Sequence, residues 1–132
     1  MSAREKALVL KAWIRFLRSG LRYAYFTQRL YHHIMQHCSF IAHYDRYGFF
    51  TTYFERGEDT ALFLSQFDAR GECRSVEYGG GCWISGEYED LNRAMVEEGR
   101  AYIPTLIDQA LARQRETDIA TARALLEKHG IS

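Results

Sequence analysis

Thirteen of the nineteen aromatic side chains fall between Trp13 and Phe54, a stretch of 42 residues in a chain of 132. Each buried ring removes about 150–250 Å² from water, so a run this dense dictates where the core must form. Two helices cannot bury all of these rings against each other. Some must meet the rest of the chain, a ligand pocket or another subunit. Tyrosine-rich surfaces flanked by arginine are favoured at protein interfaces. The run therefore predicts a binding role, with a homodimer formed through the aromatic N-terminal half.

The spacing of apolar residues predicts helices for most of the chain. In "SAREKALVLKAWIRFLRSG", Ser2 can cap a first helix, Glu5 sits three residues later, and Gly20 can end it. Lys11, Arg15, Arg18 and Arg22 follow a four-three-four spacing along one helical stripe, and Arg29 continues it. Residues 21–44 read as a second helix. Its inner face carries Tyr23, Phe26, Leu30, His33 and His37, and a polar face carries His32 and His43. "GEDTALFLSQFD" reads as a short helix starting near Asp59 or Thr60. "SGEYEDLNRAMVEEG" opens another, with Glu87, Glu89 and Asp90 in its first turn and Gly99 at its end. Pro104 suits the first turn of the next helix. Thr117 then caps a last one, with Ile119, Ala122 and Leu126 facing inward.

Two segments break this pattern. "RYGFFTTYF", residues 46–54, is rich in aromatics and threonine, which favours a strand, yet both alternating faces are apolar. "GECRSVEYGGGCWISG" places Val, Tyr, Trp and Ile around three glycines and predicts a β-hairpin over about residues 72–85. The expected fold is mostly α: a single-domain bundle over residues 1–132, with five or six helices and one small hairpin. It becomes α+β if 46–54 is a strand.

Charge narrows the functional classes. The net charge is zero, but residues 1–56 carry nine Lys/Arg against three Asp/Glu, a net of +6, and the remainder carries −6. The two halves can attract each other when packed, or the basic half can meet an anionic partner. No secretory signal is visible, because Lys6, Lys11, Arg15 and Arg18 interrupt the N-terminal apolar residues. No stretch approaches a membrane span. A cytoplasmic protein is expected, with Cys38, Cys73 and Cys82 reduced.

"HHIMQHCSFIAH" holds four of the five histidines. His33 and His37 are four apart, so on a helix both imidazoles could ligate one zinc or iron ion. A zinc site needs three or four protein ligands, and spacing singles out no third. Hydrogen bonds to tyrosine or backbone groups are the expectation for this pair, and no cofactor is expected. His37 is badly placed to activate Cys38, because consecutive helical residues point about 100° apart. "GGGCWISG" lacks both the Walker lysine and the GxGxxG fingerprint, and the carboxylates that follow would repel phosphate.

No complete catalytic set emerges, and the reading leans away from an enzyme. The expectation is a cytoplasmic protein-binding module (adaptor, regulator or assembly factor) without a membrane partner. It would act through a surface made of Lys11, Arg15, Arg18, Arg22, Arg29, Tyr25, Tyr47 and Tyr53. The first alternative is a metal- or small-ligand-binding enzyme or sensor built on His33 and His37. The second is nucleic-acid binding through the basic stripe.

Overall fold

The computed structural model describes residues 1–38, 45–67 and 88–131. Among them every regular element is helical. The elements are α1 (Ala3–Arg18), α2 (Gln28–His37), α3 (Arg46–Phe54), α4 (Gly57–Ser65), α5 (Glu89–Gly99) and α6 (Ile103–Lys128), with a 3-10 turn at Tyr23–Tyr25. The mostly helical expectation holds. The hairpin expected over 72–85 lies outside the described residues, as do Cys73, Cys82 and His43.

The two ends of α1 form as the sequence dictates. Ser2 Oγ accepts the Glu5 N–H at 3.1 Å. Beyond Arg18, Gly20 turns left-handed at φ 79, its N–H reaching the Leu17 carbonyl and that of Leu21 reaching Phe16. This is a Schellman-type stop. Leu21 is itself left-handed at φ 66, a conformation that costs a residue with a side chain. The chain is thereby turned back on itself, which corrects the expectation of one helix over 21–44. α2 starts only at Gln28, where Thr27 Oγ1 accepts the Leu30 N–H at 3.2 Å.

Residues 46–54 form a helix, so the α+β alternative is overturned for this segment. Asp45 caps it by accepting the Gly48 N–H at 2.7 Å. The two threonines that suggest a strand bond back to the Gly48 carbonyl, Thr51 at 3.1 Å and Thr52 at 2.7 Å. Both faces are apolar because α3 is packed on more than one side. Phe49 and Phe54 are buried, and Phe50 and Tyr53 pack against the core. α4 begins two residues before Asp59, at Gly57.

The largest correction concerns the last two expected helices. They are one continuous helix, α6. Thr117 does not cap; its hydroxyl bonds back to the Arg113 carbonyl at 3.1 Å. Ile119, Ala122 and Leu126 do not face inward but are exposed.

The core gathers around α1, whose inner face presents Val9, Trp13, Phe16 and Leu17. Trp13 donates its indole N–H to the Met95 carbonyl at 2.9 Å, joining α1 to α5. Its ring lies 4.7 Å from Phe67. Phe16 meets Phe26 at 5.1 Å and Phe54 at 5.3 Å, and Phe54 meets Phe63 at 4.7 Å. The aromatic run is thus largely consumed inside the fold, by α3 and α4 as well as by the first two helices.

α6 lies close against α4. A Cβ added to Gly57 would meet the Ala110 carbonyl oxygen and crowd the Gln114 backbone. Alanine normally stabilises a helix relative to glycine by about 1 kcal/mol. Here the backbone contact reverses the sign. Gly57→Ala is expected to destabilise by about 1–3 kcal/mol, as overpacking does. A thermal melt checks this, and an unchanged or raised Tm would show that the two helices are not this close.

Candidate functional site

Two places bring sequence-predicted residues together. The first is buried. His33 on α2 is 1 % exposed, and its Nε2 lies 2.7 Å from Asn92 Oδ1 on α5. Cys38, at the C-cap of α2, donates its thiol to the same oxygen at 3.6 Å. With Oδ1 accepting from both sides, Nε2 carries the imidazole proton at this contact. The Tyr88 ring stands edge-on to the imidazole at 5.7 Å.

Cysteine, histidine and asparagine together could suggest nucleophilic catalysis, but here both donors aim at the amide oxygen rather than at each other. A base-activated thiol needs a histidine nitrogen within hydrogen-bond reach and a lowered pKa. Burial pushes the Cys38 thiol well up instead. The cluster is a hydrogen-bonded strut between α2 and α5. As for a metal on His33 and His37, no group of three or more His, Cys, Asp or Glu among the described residues is placed to hold one. The His37 side chain lies outside the described residues.

The second place is on the surface. A groove of about 670 Å³ runs along the outer side of α1. Leu10 and Ile14, with Ala7, supply its apolar surface; Lys11, Arg15, Arg18, Arg22 and Tyr25 line the rest. The Arg15 guanidinium sits 5.0 Å from the Tyr25 ring centroid, a cation–π distance. A smaller recess of about 240 Å³ continues past Tyr25 to Ala24 and Thr27.

Four of the five residues in the expected basic stripe therefore converge with Tyr25. The fifth, Arg29, is drawn off to Glu5 at 3.5 Å. Tyr47 is exposed on α3 and sits 5.3 Å from Tyr23, while Tyr53 packs on Phe49 at 4.6 Å. Neither tyrosine lines the groove.

Among the described residues, the acidic half forms an ion pair with α1 only near its start. Lys6 Nζ bonds Asp90 at 3.1 Å, and that hydrogen bond holds the Asp90 carboxyl below the usual carboxylate range. Lys11, Arg15, Arg18 and Arg22 make no ion pair among the described residues. Sequence reasoning missed the groove's apolar surface. The available signal was the width of the apolar arc on α1, which extends past Trp13 and Leu17 to Leu10 and Ile14. It also missed Asn92, a polar residue between Leu91 and the apolar pair Met95–Val96.

No protein-family profile, no curated protein and no solved structure matches the chain.

The buried strut generates two expectations. Asn92→Ala leaves two buried donors without their acceptor and is expected to cost about 2–3 kcal/mol in urea unfolding. Cys38 generates a pH dependence. Its folded pKa is raised, so its stability contribution is fully present below the unfolded thiol value near 8.5. Above that value the unfolded thiol ionises and the folded one does not. Stability then falls by about 1.4 kcal/mol per pH unit for this group. Between about pH 8.5 and 10, Cys38→Ala should show a flatter pH dependence than the parent chain. Parallel slopes would mean that the thiol is not held protonated.

Proposed function

We propose that this protein is a binding module whose α1 groove takes an acidic amphipathic segment of a partner protein. One observation carries the reading: four cations with no carboxylate partner among the described residues flank an open apolar surface. A helix with leucine-like side chains on one stripe and glutamates beside it would cover Leu10 and Ile14 and neutralise Arg15, Arg18 and Arg22. This is helix-in-groove recognition, in which apolar contacts supply affinity and charge supplies orientation and encounter rate. An adaptor, regulator or assembly factor works in this way, and a cytoplasmic location belongs to the same reading. No helix among the described residues is long and apolar enough to cross a membrane.

The two alternatives have less support. A nucleic-acid backbone would use the cations and leave Leu10 and Ile14 idle. A metal or small ligand on His33 would have to reach an imidazole that is 1 % exposed and bonded to Asn92.

The test uses a fluorescent amphipathic peptide with a leucine stripe flanked by glutamate, and a single-stranded oligonucleotide of equal charge. Anisotropy is read at low and at high salt. The peptide should bind, keep most of its affinity when salt is raised, and lose about tenfold or more with Ile14→Glu or with Arg15→Glu/Arg18→Glu. An oligonucleotide that binds more tightly, falls steeply with salt and ignores Ile14→Glu would establish the nucleic-acid reading instead. If neither probe binds, the groove is not a recognition site for either class.

A further inference from the structure

Gln114 is the last α6 residue bonded to α4, its Oε1 accepting the Glu58 N–H at 3.0 Å. From Arg115 onward every residue of the helix is exposed. Residues 115–128 therefore form an arm about 21 Å long that buries none of its residues. The arm keeps an apolar stripe of Ile119, Ala122 and Leu126 at a three-four spacing. Ile119 is 52 % exposed and Leu126 43 %.

This stripe is not a continuation of the face that packs on α4. Ala110, which does pack there, is 1 % exposed. Ile119 lies nine residues further on, which at about 100° per residue is the opposite side of the helix. The Ile119–Ala122–Leu126 stripe thus points away from the side of α6 that packs on α4.

We propose that the arm is a docking face for the same arm of a second copy, packed antiparallel. The spacing is that of a coiled-coil seam, with Ile119 and Leu126 at one core position and Ala122 at the other. Charge selects the register. With Ile119 opposite the partner's Ala122, Glu116 stands beside the partner's Arg123, and the two-fold repeats the pair. A slip of one heptad in one direction sets Arg123 against the partner's Arg123. A slip in the other sets Glu116 against the partner's Glu116. Parallel pairing would put Arg115 against its own copy in the seam. In the antiparallel register Arg115 instead lies over the partner's Leu126, where its methylenes can cover apolar surface while the guanidinium reaches water.

The seam is two heptads long and smaller than a standard interface, so association belongs in about the micromolar range. It involves no residue of the α1 groove, so the two readings stand or fall separately.

Sedimentation velocity over rising protein concentration tests the proposal. The parent chain should move from 15.4 kDa toward twice that mass. Ile119→Asp/Leu126→Asp, at exposed positions that should leave the fold intact by circular dichroism, should remain monomeric throughout. Glu116→Arg should weaken the dimer about tenfold, and Glu116→Arg/Arg123→Glu should restore it. A parent chain that stays monomeric, or an aspartate variant that dimerises like the parent, would overturn the proposal. A Glu116→Arg variant of unchanged affinity, or a charge exchange that fails to recover it, would overturn the antiparallel register.

Discussion

The rest of the fold depends on the buried indole of Trp13. A buried N–H without an acceptor costs about as much as several good packing contacts contribute, so its position is set by where a carbonyl stands. That carbonyl belongs to Met95, 82 residues away, and the bond at 2.9 Å fixes α1 against α5. With the indole fixed, Phe67 packs on its ring, and Phe16 extends the aromatic contacts to Phe26 and Phe54. One side of α1 is committed to this core. Leu10, at the margin of the core, and Ile14 are only partly buried and stand beside the cations on the outer side. The groove is therefore a consequence of an apolar arc wider than the core can take.

What was legible in the sequence was local. The Ser2 cap, the Gly20 stop and the first turn at Pro104 each depend on residues within a few positions, and each formed where the spacing put it. The inward facing of His33 and the outward facing of His32 followed from helical phase alone. The misreadings share one physical cause. Phase says which residues share a face but not what that face meets. Residues 46–54 were ambiguous because α3 is contacted on more than one side, which erases amphipathic contrast. α6 read as two helices because its two apolar stripes lie half a turn apart, and a threonine at the change of phase imitates a cap. The break before α2 depends on a left-handed Leu21, which no propensity argument would place there.

The histidine stretch shows the same limit at the level of chemistry. Within it, every neighbour of His33 is a candidate partner. The partner that the fold supplies is Asn92, 59 residues away on α5. The amide oxygen accepts from both the imidazole Nε2–H and the Cys38 thiol, so each of these two buried donors has an acceptor within the core. A set of residues that could serve as a site in a cleft becomes a specificity device in a core, tying α2 to α5 with directional bonds where apolar packing alone would tolerate sliding.

The unneutralised cations of α1 follow from how the acidic half uses its carboxylates. Glu89 is held by Arg93 one turn away, Glu97 by Arg100, and Glu58 by Arg56. Asp118 accepts from Gln114 within α6. Among the described residues, Asp90 is the one carboxylate of this half that pairs with α1, and it does so at Lys6. Local pairs of this kind form at little entropic cost, because both side chains sit on one helix or in one turn. They engage Glu58, Glu89 and Glu97 locally, and among the described residues they leave Lys11, Arg15, Arg18 and Arg22 facing solvent. Charge separation between the halves of the sequence is therefore not cancelled by folding. It survives as a basic rim on α1, beside the apolar surface that the Trp13-centred core covers only in part.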